Sequence, residues 1–71
     1  MMTQEQTVLR YLERHKKGLT TIEGFEKFGI TRLSERIRRL RSAGHDIITV
    51  NEVGLNRYGQ KIRYGRYVLR A

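Results

Sequence analysis

The sequence predicts an α+β domain: a three-helix bundle followed by a C-terminal β-hairpin. Three observations carry this. Two capping boxes each open an apolar stripe of helical period. Gly18, Gly29 and Gly44 each close a helical pattern. A β-branched run then follows Gly44, with a second strand-like run after it. The 71 residues leave room for one domain, 1–71, with one small core near the size at which burial barely offsets chain entropy. The pattern contains no repeat, low-complexity tract or linker.

Thr3 and Gln6 have capping-box spacing, and Gln4, Val8, Tyr11, Leu12 and His15 recur at i, i+4, i+7, i+8 and i+11, so a first helix is expected over about 4–16. Lys16-Lys17-Gly18 closes it, with cations suited to a helix C-terminus and a glycine suited to a left-handed cap. Thr20 and Glu23 form the second box and open a helix over about 21–28, with Ile22 and Phe25 as core candidates and Phe28 near its end. Leu19, just before the cap, can staple this helix to the first. Gly29-Ile30-Thr31 is a tight turn, and Thr31 is placed to cap a third helix over about 32–43. Leu33, Ile37 and Leu40 form the inward stripe of that helix, which ends at Ala43-Gly44.

Ile47-Ile48-Thr49-Val50 is β-branched and too short for a helix, so strands are expected over about 47–51 and 62–69, the second holding Tyr64, Tyr67, Val68 and Leu69. Asn51 to Lys61 is polar, contains Gly54, Asn56 and Gly59, and reads as a long hairpin tip. If Tyr67 and Leu69 face the core, alternation puts Arg63 and Gly65 on their side and Tyr64, Arg66 and Val68 on the other. Arg63 then lies beyond the core edge.

Charge narrows the function. The chain carries +8, divided as +1 over residues 1–31 (five basic, four acidic) and +7 over residues 32–71 (ten basic, three acidic). Clustered cations on a folded domain attract polyanions by counterion release, and the nucleic-acid backbone is the commonest such partner. Basic residues also serve solubility, but that role gives no reason to concentrate them in particular elements. On the third helix, Glu35, Arg38, Arg39 and Ser42 oppose the apolar stripe, with Arg32, Ser34, Arg36 and Arg41 flanking them. Glu35 is the sole acid among five arginines there: Glu35–Arg39 is an attractive i,i+4 pair, Arg32–Arg36 a repulsive one, and Arg38 has no acidic neighbour on the helix. An ordinary solvated face mixes its signs. This one points to an external anion, and arginine suits duplex DNA because its fork both pairs with guanine O6/N7 and grips phosphate. Arg38 and Glu35 are expected to influence sequence preference, and Thr31, Arg32, Ser34, Arg36, Arg39 and Ser42 to complete the contact face, with Arg32 and Arg39 mainly on phosphates. In the hairpin, Arg57, Lys61, Arg63 and Arg66 continue the basic surface, and residues 57–71 are +5 without an acid. Tyr58 at the tip either stacks or bonds a phosphate, or shields Arg57.

Other chemistries find little support. His15 and His45 are isolated, the seven acids are dispersed, cysteine is absent, and no glycine-rich phosphate loop occurs. No catalytic site, metal, cofactor or small-molecule substrate is expected. Without cysteine there is no disulfide framework, no apolar run approaches the length of a membrane span, and Met1-Met2-Thr3-Gln4-Glu5 is unlike a signal peptide, so a cytoplasmic location is expected.

Two helices joined by a glycine-containing turn, the second basic and exposed, make the helix-turn-helix pattern. The whole chain resembles winged helix-turn-helix domains of small bacterial and bacteriophage DNA-binding proteins. The resemblance lies in Leu19-Thr20-Thr21-Ile22-Glu23-Gly24-Phe25-Glu26-Lys27-Phe28-Gly29-Ile30, in Arg32-Leu33-Ser34-Glu35-Arg36-Ile37-Arg38-Arg39-Leu40-Arg41 with Gly44 and Ile47, and in Tyr64-Gly65-Arg66-Tyr67-Val68-Leu69. It implies that helix 32–43 reads the major groove of double-stranded DNA, that loop 51–61 is the wing, and that the protein is a phage or prophage regulator of transcription or recombination. Gly24 departs from the family's usual alanine, which weakens the second helix by about 1 kcal/mol and allows closer approach to the third. An RNA-binding module and a protein-interaction module of a phage assembly stay open as alternatives, although RNA readers usually show an aromatic platform and only Tyr58 and Tyr64 are free candidates. The sequence offers no extra helix for a dimer seam, so a monomer, or weak association on adjacent DNA sites, is expected.

Overall fold

In a computed structural model, residues 2–70 are described; Met1 and Ala71, the ends of the expected domain, lie outside them. The elements are α1 (Gln4–Arg14), β1 (Leu19–Thr20), α2 (Thr21–Phe28), α3 (Leu33–Ser42), β2 (Ile47–Leu55) and β3 (Lys61–Leu69). Three helices and an antiparallel sheet of order β1-β3-β2 make the α+β arrangement that the sequence predicts.

Both capping boxes form. The Thr3 and Thr20 side chains accept from the backbone N–H of Gln6 and Glu23, and those residues' side chains accept from the cap backbones in return. The boundaries of α2 coincide with the prediction, whereas α1 stops two residues early. His15 turns extended, its N–H bonds the Tyr11 carbonyl, and its ring stacks on Tyr11 with centroids 4.1 Å apart. Gly18 is therefore not the cap of α1. It turns the chain into β1 at φ +84°, where a Cβ would sit 2.1 Å from the Tyr67 carbonyl oxygen. β1 was not expected, because two residues are too few to show the alternation by which strands are recognised. Leu19 and Thr20 pair with Tyr67 and Arg66 of β3.

The core consists of Val8, Leu12, Leu19, Ile30, Leu33, Ile37, Leu40 and Ile47, with Leu9, Tyr11, Tyr67 and Leu69 packed against it. The stripe Leu33/Ile37/Leu40 faces inward as predicted, but Ile22 and Phe25 do not. They are 62% and 57% exposed. The buried position of α2 is Gly24, where a Cβ would meet Leu33 Cδ2 at 3.3 Å. At 100° per residue, Ile22 then lies about 200° away and Phe25 about 100° away. The glycine thus brings α2 close to α3, and the core side chains flanking α2 come from Leu19 before it and Ile30 in the turn after it.

Thr31 does not cap α3. The N-cap is Arg32, without a side-chain cap bond, and its carbonyl accepts from the N–H groups of Glu35 and Arg36 at 3.1 and 3.3 Å. β2 runs four residues beyond the expected strand. The Ile47↔Leu69 to Leu55↔Lys61 register keeps the ladder paired, so the tip shrinks from 51–61 to residues 56–60. The Asn56 side chain organises this turn: its Oδ1 accepts from the N–H of Tyr58 and Gln60 at 2.9 and 3.0 Å. Among the described residues, no helix is long and apolar enough to cross a membrane.

Candidate nucleic-acid interface

Burial of Leu33, Ile37 and Leu40 fixes the rotation of α3 about its axis. Glu35 and Ser42 then point directly away from the core, Ser34 and Arg38 lean to the same side as Arg41, and Arg36 and Arg39 lean toward α1. Arg41 shows which element lies on its side. Its Nε donates to the Ile47 carbonyl at 2.8 Å, its Nη2 donates to Thr49 Oγ1 at 3.0 Å, and its guanidinium lies over the Tyr67 ring. The outward face of α3 therefore continues onto one face of the hairpin. By register and alternation that hairpin face carries Thr49, Asn51, Val53 and Leu55 beside Tyr67, Gly65, Arg63 and Lys61.

The predicted contact residues divide into three groups. Arg32 at the start of α3, Lys61 and Arg63 on the hairpin face, and Arg57 at the tip are exposed and, among the described residues, enter no ion pair. Thr31, Ser34 and Ser42 are exposed around α3, and Tyr58 stands 80% exposed at the tip.

Arg38 and Arg39 are exposed but share Glu35. The Arg38 Nε donates to Glu35 Oε2 at 3.0 Å and its Nη2 donates to Oε1. Arg39 stands farther off, 3.6 Å from Glu35 and 3.7 Å from Glu5. The expectation that Arg38 has no acidic neighbour on the helix is corrected, since residues three apart are as near as those four apart. The Arg38 hydrogen bonds, supported by its charge and by Arg39, hold the Glu35 carboxyl down at about 2, against a smaller opposing effect of burial.

Arg36 and Arg66 are engaged within the protein. Arg36 Nη1 donates to Glu5 Oε1 at 2.8 Å, tying α3 to α1 with both side chains about three-quarters covered. Arg66 points to the opposite face of the hairpin from Arg63, where it bonds Glu52 at 2.8 Å and Glu23 at 3.1 Å. Burial raises the Glu23 carboxyl, but the Thr20 N–H and the Arg66 charge together outweigh it and leave its pKa lowered. Tyr64 shares this far face, half-buried against Gly54.

Sequence reasoning missed two residues of the surface, Val53 and Leu55, and the role of a third, Arg41. Arg41 joins α3 to the hairpin, and its Arg-rich context concealed that role. Val53 and Leu55, 63% and 68% exposed, stand across from Arg63 and Lys61. The alternation of Asn51 to Leu55 was the available signal for them, masked by the turn-like composition. Along α3 and from Leu55 to Arg63, Glu35 is the only carboxylate. Among the described residues, no group of His, Cys, Asp or Glu is arranged to hold a metal ion.

A family model described as a winged helix-turn-helix domain matches residues 3–71. No curated protein and no solved structure matches the chain.

Proposed function

The chain belongs to the winged helix-turn-helix family, a DNA-binding fold, and from that premise we propose that it binds double-stranded DNA with sequence preference. In this reading α3 enters the major groove, and the wing, residues 56–60 with the adjoining strand ends, lies on the neighbouring backbone. One observation carries the proposal: Arg32, Arg57, Lys61 and Arg63 stand exposed and, among the described residues, without ion-pair partners around α3 and the wing, whose one carboxylate is already bonded by Arg38. Unpaired cations disposed in this way neutralise phosphates, and Ser34, Arg38 and Ser42 between them are left to face base edges. Arg36 and Arg66 act as structural ties in this account, with the Arg36 tie lying behind the contact face and the Arg66 tie on the far side of the wing.

Duplex DNA is favoured over RNA by the position of Tyr64. Half-buried on the far face, it leaves Tyr58 without an aromatic partner for a stacking platform. The finer parts of the proposal are a non-enzymatic regulator of transcription or recombination in a phage or prophage, acting in the cytoplasm as a monomer or through weak association on adjacent sites. These rest on the sequence resemblance and composition described above. Competition among duplex DNA, structured RNA and heparin at several salt concentrations tests the proposal. Duplex DNA is expected to be retained preferentially; equal or tighter retention of structured RNA or heparin would overturn it.

A further inference from the structure

Arg38 has its Nε and Nη2 both bonded by one carboxylate of its own helix, whereas Arg41 uses the same two donors on the Ile47 carbonyl and the Thr49 hydroxyl of the hairpin and serves as a tie. A guanidinium carries five N–H donors in a rigid plane. The Nε and Nη2 edge is bonded by both Glu35 oxygens, which prevents free swinging of a long side chain that is 65% exposed. The edge left open is the distal one, where Nη1 and Nη2 each present one parallel N–H. Glu35 is itself fixed, lying in the first turn of α3 where the helix dipole favours a carboxylate.

We propose that Glu35 and Arg38 together form a preset guanine reader, in which Glu35 is the positioning residue and the distal edge of Arg38 donates to O6 and N7 of one guanine. This deepens the DNA-binding reading and rests on it. The choice of base follows from the donor pattern. Two parallel donors match the adjacent acceptors of guanine, whereas adenine sets its N6 amino donor beside N7, and cytosine and thymine lack the paired acceptors. The choice of role follows from charge. The Glu35–Arg38 pair is neutral, so it adds little attraction to phosphate, and the unpaired cations of the surface supply that attraction instead. Arg39 is not part of the reader, because its nearest carboxylate contacts at 3.6 and 3.7 Å are too long for hydrogen bonds that would aim it. Holding Arg38 before DNA arrives also removes part of the ordering cost at binding.

The test is selection from a randomised duplex pool by the parental protein, Glu35→Gln and Arg38→Ala, followed by titration of the selected duplex, of its single-base variants and of random duplex. The parental protein is expected to select one guanine whose replacement, or whose exchange for 7-deazaguanine, weakens binding by about tenfold or more. Arg38→Ala loses that preference. Glu35→Gln loses most of it while binding random duplex more tightly, with a salt slope steeper by about one, because an attached cation is released to phosphate. Full guanine discrimination by Glu35→Gln overturns the positioning role, and selection of another base at the Arg38-dependent position overturns the guanine assignment. Both results leave DNA binding itself intact. Failure of the parental protein to bind any duplex would instead sink the underlying reading, and the reader with it. A melting curve for each variant separates these effects from loss of fold.

Discussion

Arg41 and Ile47 are joined by a hydrogen bond from the guanidinium Nε to the backbone carbonyl at 2.8 Å, so the last turn of α3 and the first residue of the wing's β2 strand are held together. The angle between helix and wing is thus set by a side chain as well as by the short connection through Ala43 to Asp46. Arg41→Ala is expected to lower stability by about 1 kcal/mol, a shift in melting of roughly 4–8 °C for a domain of this size. Melting within about 1 °C of the parent would show that the bond does not hold the wing.

Ile37 and Ile22 make a matched pair, the same residue type at 1% and 62% exposure. Ile37→Ala removes a side chain from the centre of the core and is expected to cost about 2–4 kcal/mol, a large fraction of the stability of so small a domain. Ile22→Ala is expected to change stability by less than about 0.5 kcal/mol. Urea unfolding of both variants checks the phase of α2 and α3 together, and similar losses from the two would contradict it.

How much of this was legible depended on the range of the interaction. The capping boxes at Thr3 and Thr20 and the stripe Leu33/Ile37/Leu40 were readable because each is complete within three to seven residues. The bond between Arg38 and Glu35 is equally local, and i,i+4 spacing does not reveal it because the two residues are three apart. The pair Arg36–Glu5 spans 31 residues and Arg66–Glu23 spans 43, so no pattern in the chain announces them. These long-range ties distinguish the structural arginines from those free to meet a ligand, although composition makes them look alike. Ile22 and Phe25 were misplaced for another reason. Apolar residues are ordinarily assigned to the core, yet here a glycine takes the buried position, and the close approach of α2 to α3 turns both side chains outward.

Arg57 and Lys61 bracket the wing tip and, among the described residues, have no ion-pair partner. Their joint replacement by alanine is expected to weaken binding to every duplex by a similar factor and to reduce the salt slope by about two, with melting nearly unchanged. A parental slope would mean that the wing does not touch DNA, and lower melting would mean that the tip is structural.

Acid should unfold the protein in a defined window. Glu5, Glu23 and Glu35 all lie below their ordinary value of 4.5 in the folded chain, with Glu35 at about 2. A depressed carboxyl stabilises the fold above its unfolded pKa, and that contribution is lost as the pH falls through the folded pKa. Melting temperature is therefore expected to fall from about pH 4.5 downward, with the Glu35 share declining until about pH 2. Glu35→Gln should flatten the lower part of this profile. An unchanged profile in that variant would show that the Arg38 bonds do not persist in solution.

If α3 and the wing together form the DNA-contacting surface, amide chemical-shift mapping during titration with a duplex will outline that surface residue by residue. The largest changes are expected on residues 31–42 and on residues 56–63, and the smallest at Glu23, Glu52 and Arg66 on the far side of the hairpin. The largest changes at Glu23, Val50, Glu52 and Arg66, with α3 undisturbed, would contradict this assignment.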